Sequence, residues 1–254
     1  MQTSGNTILI TGGATGIGLA LAAAFLQKGN TVVVCGRRLS KLQEAKAAYP
    51  GLHIRQCDVS NATDRTALYD WTISQFPGLN MLINNAGIQR EIDFRRGVEA
   101  LNDGDSEIAI NFEGVVHLTA LFVPHLMKQP IAAVMQVSSG LAFVPMALAP
   151  VYCATKAALH SLSLTLRHQL KDTSVRVFEI IPPIVDTALD RGAREKRGQQ
   201  QRGIAPEVVA EQTLKSMEAD AFEIAVAQAR FLRIGSRLAP RRFFGLINRI
   251  TTNV

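Results

Sequence analysis

With 254 residues, 47% of them hydrophobic and 19% charged, the chain can bury a sizeable core, and neither a disordered nor a fibrous protein fits that composition. The formal net charge of +6 is confined to the end: the last 31 residues hold six arginines and no acid, leaving 21 basic and 21 acidic side chains in residues 1–223, which excludes a broadly basic nucleic-acid-binding domain. Cys35, Cys57 and Cys153 are an odd set without metal-ligand spacing, and the polar start Met1–Thr7 lacks a signal-peptide pattern, so reduced thiols and a cytoplasmic location are expected.

Thr7–Thr11 is the first predicted strand, and Thr11-Gly-Gly-Ala-Thr-Gly-Ile-Gly18 leads from it into a helix near 17–28 that Gly29-Asn30 ends. Gly12, Gly16 and Gly18 permit close backbone approach. With Thr15 and Ile17 they form a loop whose free N–H groups, at a helix start, favour a pyrophosphate. The second strand, Thr31–Cys35, runs into Gly36-Arg37-Arg38. NAD-using dinucleotide folds usually place an acid here; two guanidiniums suit a 2′-phosphate instead, which favours NADP over NAD, with a solvated basic turn as the plainer reading.

Strands follow at His53–Cys57, Met81–Asn84, Ala132–Val137, Val175–Ile181 and Phe222–Ala227, with helices near 39–48, 62–76, 99–128, 151–171 and 206–219. This alternation predicts one α/β domain over residues 1–254: a Rossmann-like, doubly wound parallel sheet of about seven strands with helices on both faces. The uncharged run Ile131–Thr155 is long enough to suggest a membrane span, but Pro145 and Pro150 would break a helix, so it is read as a buried strand and an active-site loop. The polar stretch 186–205 is a candidate substrate lid, or else a solvated surface loop.

Tyr152 and Lys156, four residues apart on a predicted helix, share one face, so an ammonium can lie beside a phenol and make it more acidic. Ser139 lies 13 residues upstream of Tyr152. Alone, a serine here is a turn or cap residue and a tyrosine a core residue. Together with Thr11–Gly18, Cys57-Asp58-Val59, Asn84-Asn-Ala-Gly87, Asn111 and Pro182–Thr187, in this order, they make the chain resemble the short-chain dehydrogenase/reductase family from about residue 6 to about 190.

The resemblance implies a catalytic set of Asn111, Ser139, Tyr152 and Lys156. It implies a nucleotide site in which Asp58 binds the adenine amino group, Val59 packs on the ring, and Asn84, Asn85, Ala86 and Gly87 line the adenosine side. Lys156 holds the ribose, and Pro182, Ile184 and Thr187 flank the nicotinamide end. The family usually has Pro-Gly where this chain has Pro182-Pro183; proline has no N–H to donate, so a backbone contact from that position is lost. The implied activity is NADP(H)-dependent hydride transfer between nicotinamide and an alcohol/carbonyl pair, with a cofactor-binding sensor or scaffold as the alternative. Leu141–Met146 suggest an apolar small-molecule substrate. Homodimers or homotetramers through the helices holding Asn111 and Tyr152 are implied as well.

Residues 229–254 interleave the arginines with Phe231, Leu232, Ile234, Leu238, Phe243, Phe244, Leu246, Ile247 and Ile250, and Pro240 divides them into two short helical pieces. The favoured reading is packing or subunit contact; peripheral contact with the inner membrane face is the lesser one, and the interleaved apolar residues disfavour nucleic acid. The tail, with Arg-Leu-Ala-Pro240 at its centre, resembles a bacterial subgroup encoded beside lipoteichoic-acid D-alanylation genes.

Overall fold

The computed structural model describes residues 1–189 and 203–252. Its sheet has seven strands: β1 Thr7–Thr11, β2 Thr31–Gly36, β3 His53–Gln56, β4 Met81–Asn84, β5 Ala132–Val137, β6 Val175–Ile181 and β7 Glu223–Ala225. All pairings are parallel, in the order β3-β2-β1-β4-β5-β6-β7. Growth of the sheet reverses between β1 and β4, where Ile8 pairs with both Val32 and Met81. The loops leaving these two strands diverge and open a crevice at their carboxyl ends, the place where such sheets bind ligands.

The central strands β1, β2 and β4 are nearly continuous apolar runs because both faces are covered. Ile8, Ile10, Val32 and Val34 point to one face, where α1 (Gly16–Gln27) and, late in the chain, a helix at Pro206–Glu218 pack. Leu9, Val33, Leu82 and Val134 point to the other, beneath helices at Ala62–Gln75, Gly114–Leu126 and Pro150–Gln169. Among the described residues the helices are, in chain order, α1, α2 (Leu39–Ala48), α3 (Ala62–Gln75), α4 (Glu99–Asn102), α5 (Gly114–Leu126), α6 (Pro150–Gln169), α7 (Pro206–Glu218), α8 (Ala229–Leu238) and α9 (Pro240–Thr252). Pro240 separates the last two as expected. The apolar segment Ala109–Leu126 is long enough to cross a membrane by length and composition, but it buries Ile110, Val115, Leu118, Phe122 and Leu126 in the core of this fold.

The helix expected over 99–128 is broken. Only α4 forms at its start; Gly104, at φ +144°, turns the chain, and helix resumes as a π turn at Ala109–Glu113 that runs into α5. Two forces account for the break. The Arg90 guanidinium draws the carbonyls of Ala100, Leu101 and Asp105 to itself, and Asn111 bonds outside the helix. Most of the expected lid, residues 190–202, lies outside the described residues. Its two ends meet: Asp186 N–H donates to Ile204 O at 2.8 Å and Ile204 N–H to Ile184 O at 3.0 Å.

Candidate active site

A cavity of about 610 Å³ occupies the β1/β4 crevice, and nearly all of the expected site residues line it. At one end lie Gly12, Thr15, Gly16 and Ile17. Gly12 is left-handed (φ +63°), and a Cβ on it would lie 2.9 Å from the Ala86 Cα, so the β1 loop touches the β4 loop backbone to backbone. Thr11 Oγ1 accepts from the N–H groups of both Asn85 and Ala86 at 3.0 Å, and Asn85 Nδ2 donates to Thr11 O at 2.9 Å. This seam leaves a glycine-lined cradle over the start of α1, and the cradle fits a dinucleotide pyrophosphate. Gly18, expected among the cofactor contacts, does not line the cavity. It sits where α1 enters the fold, and a Cβ there would be 2.4 Å from Gly12 O, so it supports the cradle from behind.

Arg37, Arg38, Asp58 and Val59 wall the far end. The Arg37 guanidinium bonds Asp105 at 2.8 Å and lies 3.8 Å from Asp58. The hydrogen bond to Asp105 raises the Arg37 pKa and lowers that of Asp105. The break after α4 is what brings Asp105 here. No acid stands at the end of β2, where Gly36 and the two arginines lie.

Ser139, Tyr152 and Lys156 line the middle of the cavity. Pro150 opens α6, and one turn of that helix places Tyr152 and Lys156 on the same face. Lys156 is only 4% exposed; its ammonium donates to Val137 O at 2.8 Å and lies 5.6 Å from the Tyr152 ring centroid. Burial lowers its pKa from 10.5 to about 8. Tyr152 is 5% exposed and packs with Met146, Ala149 and Cys153. Ser139 caps the short turn Gly140–Ala142, its Oγ accepting from Leu141 N–H at 3.1 Å. That bond uses a lone pair, so capping leaves the O–H to donate into the cavity. Cys153 is a packing residue: its Sγ accepts from Met146 N–H at 3.2 Å, and burial raises its pKa.

Asn111 is fully buried and does not reach the cavity wall. Its side-chain amide accepts from Ile88 N–H and donates to Ile88 O, both at 2.8 Å, and donates to Thr155 Oγ1 at 3.3 Å. Thr155 Oγ1 in turn donates to Tyr152 O at 2.8 Å. Asn111 therefore couples the loop after β4 to the helix bearing Tyr152. Pro182, Pro183, Ile184 and Thr187 line the cavity from the end of β6, and Pro182 O accepts from Gly140 N–H at 2.9 Å.

Sequence reasoning missed two parts of the site. Leu232 of α8 and Ile247 of α9 form part of the cavity wall, and Ile247 packs on the group around Tyr152. Asn248 fastens α9 there, accepting from Ala147 N–H at 2.6 Å and donating to Pro145 O at 3.1 Å. Behind Ser139, the fully buried Glu179 accepts from Ser138 Oγ at 2.5 Å and from His160 Nδ1 at 2.8 Å. A lone acid in the apolar strand Val175–Ile181 was the available signal, since a buried carboxylate needs partners.

The family model for short chain dehydrogenase matches residues 6–198. The uncharacterized oxidoreductase DltE of Bacillus subtilis is 52% identical over 248 residues, covering 98% of each chain. The NADP-dependent 3-hydroxy acid dehydrogenase YdfG of Escherichia coli K12 is 30% identical over 213 residues, 80% of this chain and 86% of that protein. Among solved structures, a short chain dehydrogenase/reductase from Burkholderia phymatum in complex with NAD superposes with a TM-score of 0.84 at 22% identity, over 98% of this chain and 97% of the other.

Proposed function

The chain belongs to the short-chain dehydrogenase/reductase family, oxidoreductases that act on CH–OH/C=O with NAD(P), and from that premise we propose that it is an NADP(H)-preferring enzyme with Tyr152 as its proton-transfer group. One observation carries the reading: the glycine cradle and Ser139, Tyr152 and Lys156 border one continuous cavity. When bound, the nicotinamide supplies or accepts the hydride. Ser139 O–H donates to the substrate oxygen and holds it beside the phenol. Tyr152 gives its proton to that oxygen in reduction and takes it back in oxidation. A free tyrosine titrates near pH ~10, and the Lys156 charge favours the phenolate. Asn111 positions Tyr152 through Thr155.

The NADP preference is supported by Arg37 and Arg38 at the end of β2 and by the NADP dependence named for the Escherichia coli relative. Asp105 holds the Arg37 fork at the cavity rim. An apolar substrate fits the Leu141, Met146, Leu232 and Ile247 wall. We assign subunit contacts to α5, the turn beyond it and α6, whose outer surfaces leave Met127 and Leu164 exposed.

The test is a panel of aldehydes, ketones and secondary alcohols, followed by nicotinamide absorbance with NADPH and NADH in parallel. Turnover with NADPH favoured at least about tenfold is expected from two guanidiniums on the extra phosphate. Preference for NADH overturns the role of Arg37 and Arg38. Tight nucleotide binding without turnover of any panel member makes the protein a cofactor-binding sensor.

A further inference from the structure

Helices α8 and α9 have an inner and an outer side with different chemistry. Inside, Ala229 and Gly235 are buried, the Phe243 ring packs over Gly235 and against Phe231 (ring centroids 5.0 Å apart), and Leu232 and Ile247 wall the active-site cavity. Outside, Phe231, Ile234 and Leu238 are 63%, 59% and 81% exposed. Their spacing of three and four residues places them on one strip of α8. On α9, Leu246 is 48% exposed, whereas Phe244 lines a separate pocket with Ile92 and Pro145.

Arginines border that surface. Arg233 turns inward to the Glu223 carboxylate, whereas Arg230, Arg237, Arg241, Arg242 and Arg249 are exposed. Arg237, Arg241 and Arg242 form no ion pair among the described residues, and no acid occurs anywhere after Glu223. This combination selects an occupant. A two-fold contact with a second copy would set the same acid-free, arginine-rich patch against itself. The rest of the chain, with 21 basic and 21 acidic side chains, has no excess of acid to offer instead. Nucleic acid would use the arginines but leave large apolar side chains exposed to water. A bilayer of anionic phospholipid satisfies both, with the apolar strip at the acyl boundary and the guanidiniums on the phosphates.

We propose that the outer face of α8 and α9 docks this protein on anionic phospholipid membranes. Leu232, on the inner side of the docked helix, would then set the cavity wall against the bilayer. It follows, on the oxidoreductase reading above, that the substrate is an alcohol or carbonyl dissolved in lipid. The docking itself does not depend on that reading.

Flotation of the full chain with vesicles tests it without any assay of turnover. The protein is expected to float with phosphatidylcholine vesicles containing phosphatidylglycerol at low salt, and not with phosphatidylcholine alone. The triple variant Arg237→Gln, Arg241→Gln, Arg242→Gln should lose binding at least about fivefold, because each basic residue adds to surface attraction. The variant Phe231→Ser, Leu238→Ser should lose it as well, while keeping the parent's circular dichroism and cooperative melting, which shows that it is folded. No flotation at low salt, or equal flotation with both vesicle types, overturns the proposal. So does a parent that sediments as an oligomer which the Phe231→Ser, Leu238→Ser change splits, with no vesicle binding, because a second copy then covers this face.

Discussion

The two walls of the cavity are held in different ways. The sheet-side wall is pinned by the backbone: Ser139 caps a turn that bonds Pro182, Lys156 is anchored on Val137 O, and Tyr152 is tied through Thr155 to Asn111. These groups are buried between elements that also hold the sheet together. The tail-side wall consists of apolar side chains on two short helices that carry exposed surface on their other side and are fastened by contacts such as those of Asn248. The first wall fixes the side chains proposed to react, through bonds within the fold. On the reading proposed above, the second wall is where the accepted molecule would be selected. Loops and late-chain elements carried on a rigid scaffold commonly divide the work in this way.

The sharpest test of the rigid wall is Tyr152→Phe. It removes one hydroxyl from a packed ring, so folding and nucleotide affinity should stay within about threefold while kcat falls by about a thousandfold or more, the scale of a lost general acid. Binding is followed by quenching or calorimetry and turnover on a substrate found in the panel. A variant that keeps near-parental kcat would move the chemistry elsewhere.

Lys156→Met should lower kcat by about a hundredfold, less than the loss of the proton donor itself, because it removes the charge that favours the phenolate and leaves the phenol in place. The pH dependence follows from the burial of Lys156. With its pKa pulled down to about 8, the charge is present below that pH, so kcat/KM of the parent should decline as pH rises through about 8. The stability effect has the opposite slope. A lysine whose folded-state pKa lies below its ordinary 10.5 costs stability while the unfolded chain is protonated. That cost is full below about pH 8 and fades toward 10.5. It is on the order of 3 kcal/mol at its largest. Melting curves should therefore show the parent gaining on Lys156→Met as pH is raised across this window; a difference independent of pH would mean that Lys156 is not a buried ammonium.

The same contrast governed what could be read from the sequence. β1, β4, β5 and β6 fall at the expected residues, because fully covered strands are uninterrupted apolar runs bounded by turn residues. Gly12, Gly16, Tyr152 and Lys156 were legible because local spacing alone brings them into place. The break after α4 was not, because the apolar periodicity continues through Ile108 and Ile110 while the cause lies far away, in the Arg90 side chain and the Ile88 backbone. Nor was the return of Asp105 to Arg37, which depends on that break. In the tail, periodicity shows that Leu232 and Ile247 belong to apolar faces, but nothing local says that the active site is what those faces meet. Gly18 and Asn111 lie behind the cavity lining, and motif order does not separate a wall residue from its support.

On the adaptable wall the expected effects are smaller and fall on different constants. Leu232→Ala and Ile247→Ala each remove apolar surface from the substrate end, which is worth about 1–3 kcal/mol for a buried side chain of this size. KM for the best substrate should rise by about fivefold to a hundredfold, while nucleotide affinity stays as in the parent. Equal losses in kcat for unrelated substrates, small and large, would show that the two residues support Tyr152 instead of selecting substrate, and the division between the walls would fail.

Asn248→Ala probes how the adaptable wall is attached, and its effect should be the smallest. The side chain accepts from Ala147 N–H, donates to Pro145 O and also donates to Phe244 O at 2.9 Å, so one residue closes α9 onto the loop before α6. Hydrogen bonds of this kind contribute about 0.5–1.5 kcal/mol each, and these lie toward solvent, where water replaces part of what is lost. Global stability should therefore change little, since the core clusters do not include Asn248. Local opening should change more: amide exchange in α9 and around Ala147 should quicken by about tenfold, while exchange in β1, β4 and β5 stays as in the parent. KM should rise by about twofold to threefold through Ile247, whose place in the wall depends on this attachment. Faster exchange spreading into α6 around Tyr152 would mean that the two walls open as one unit, and that the tail supports the reacting groups as well as the substrate.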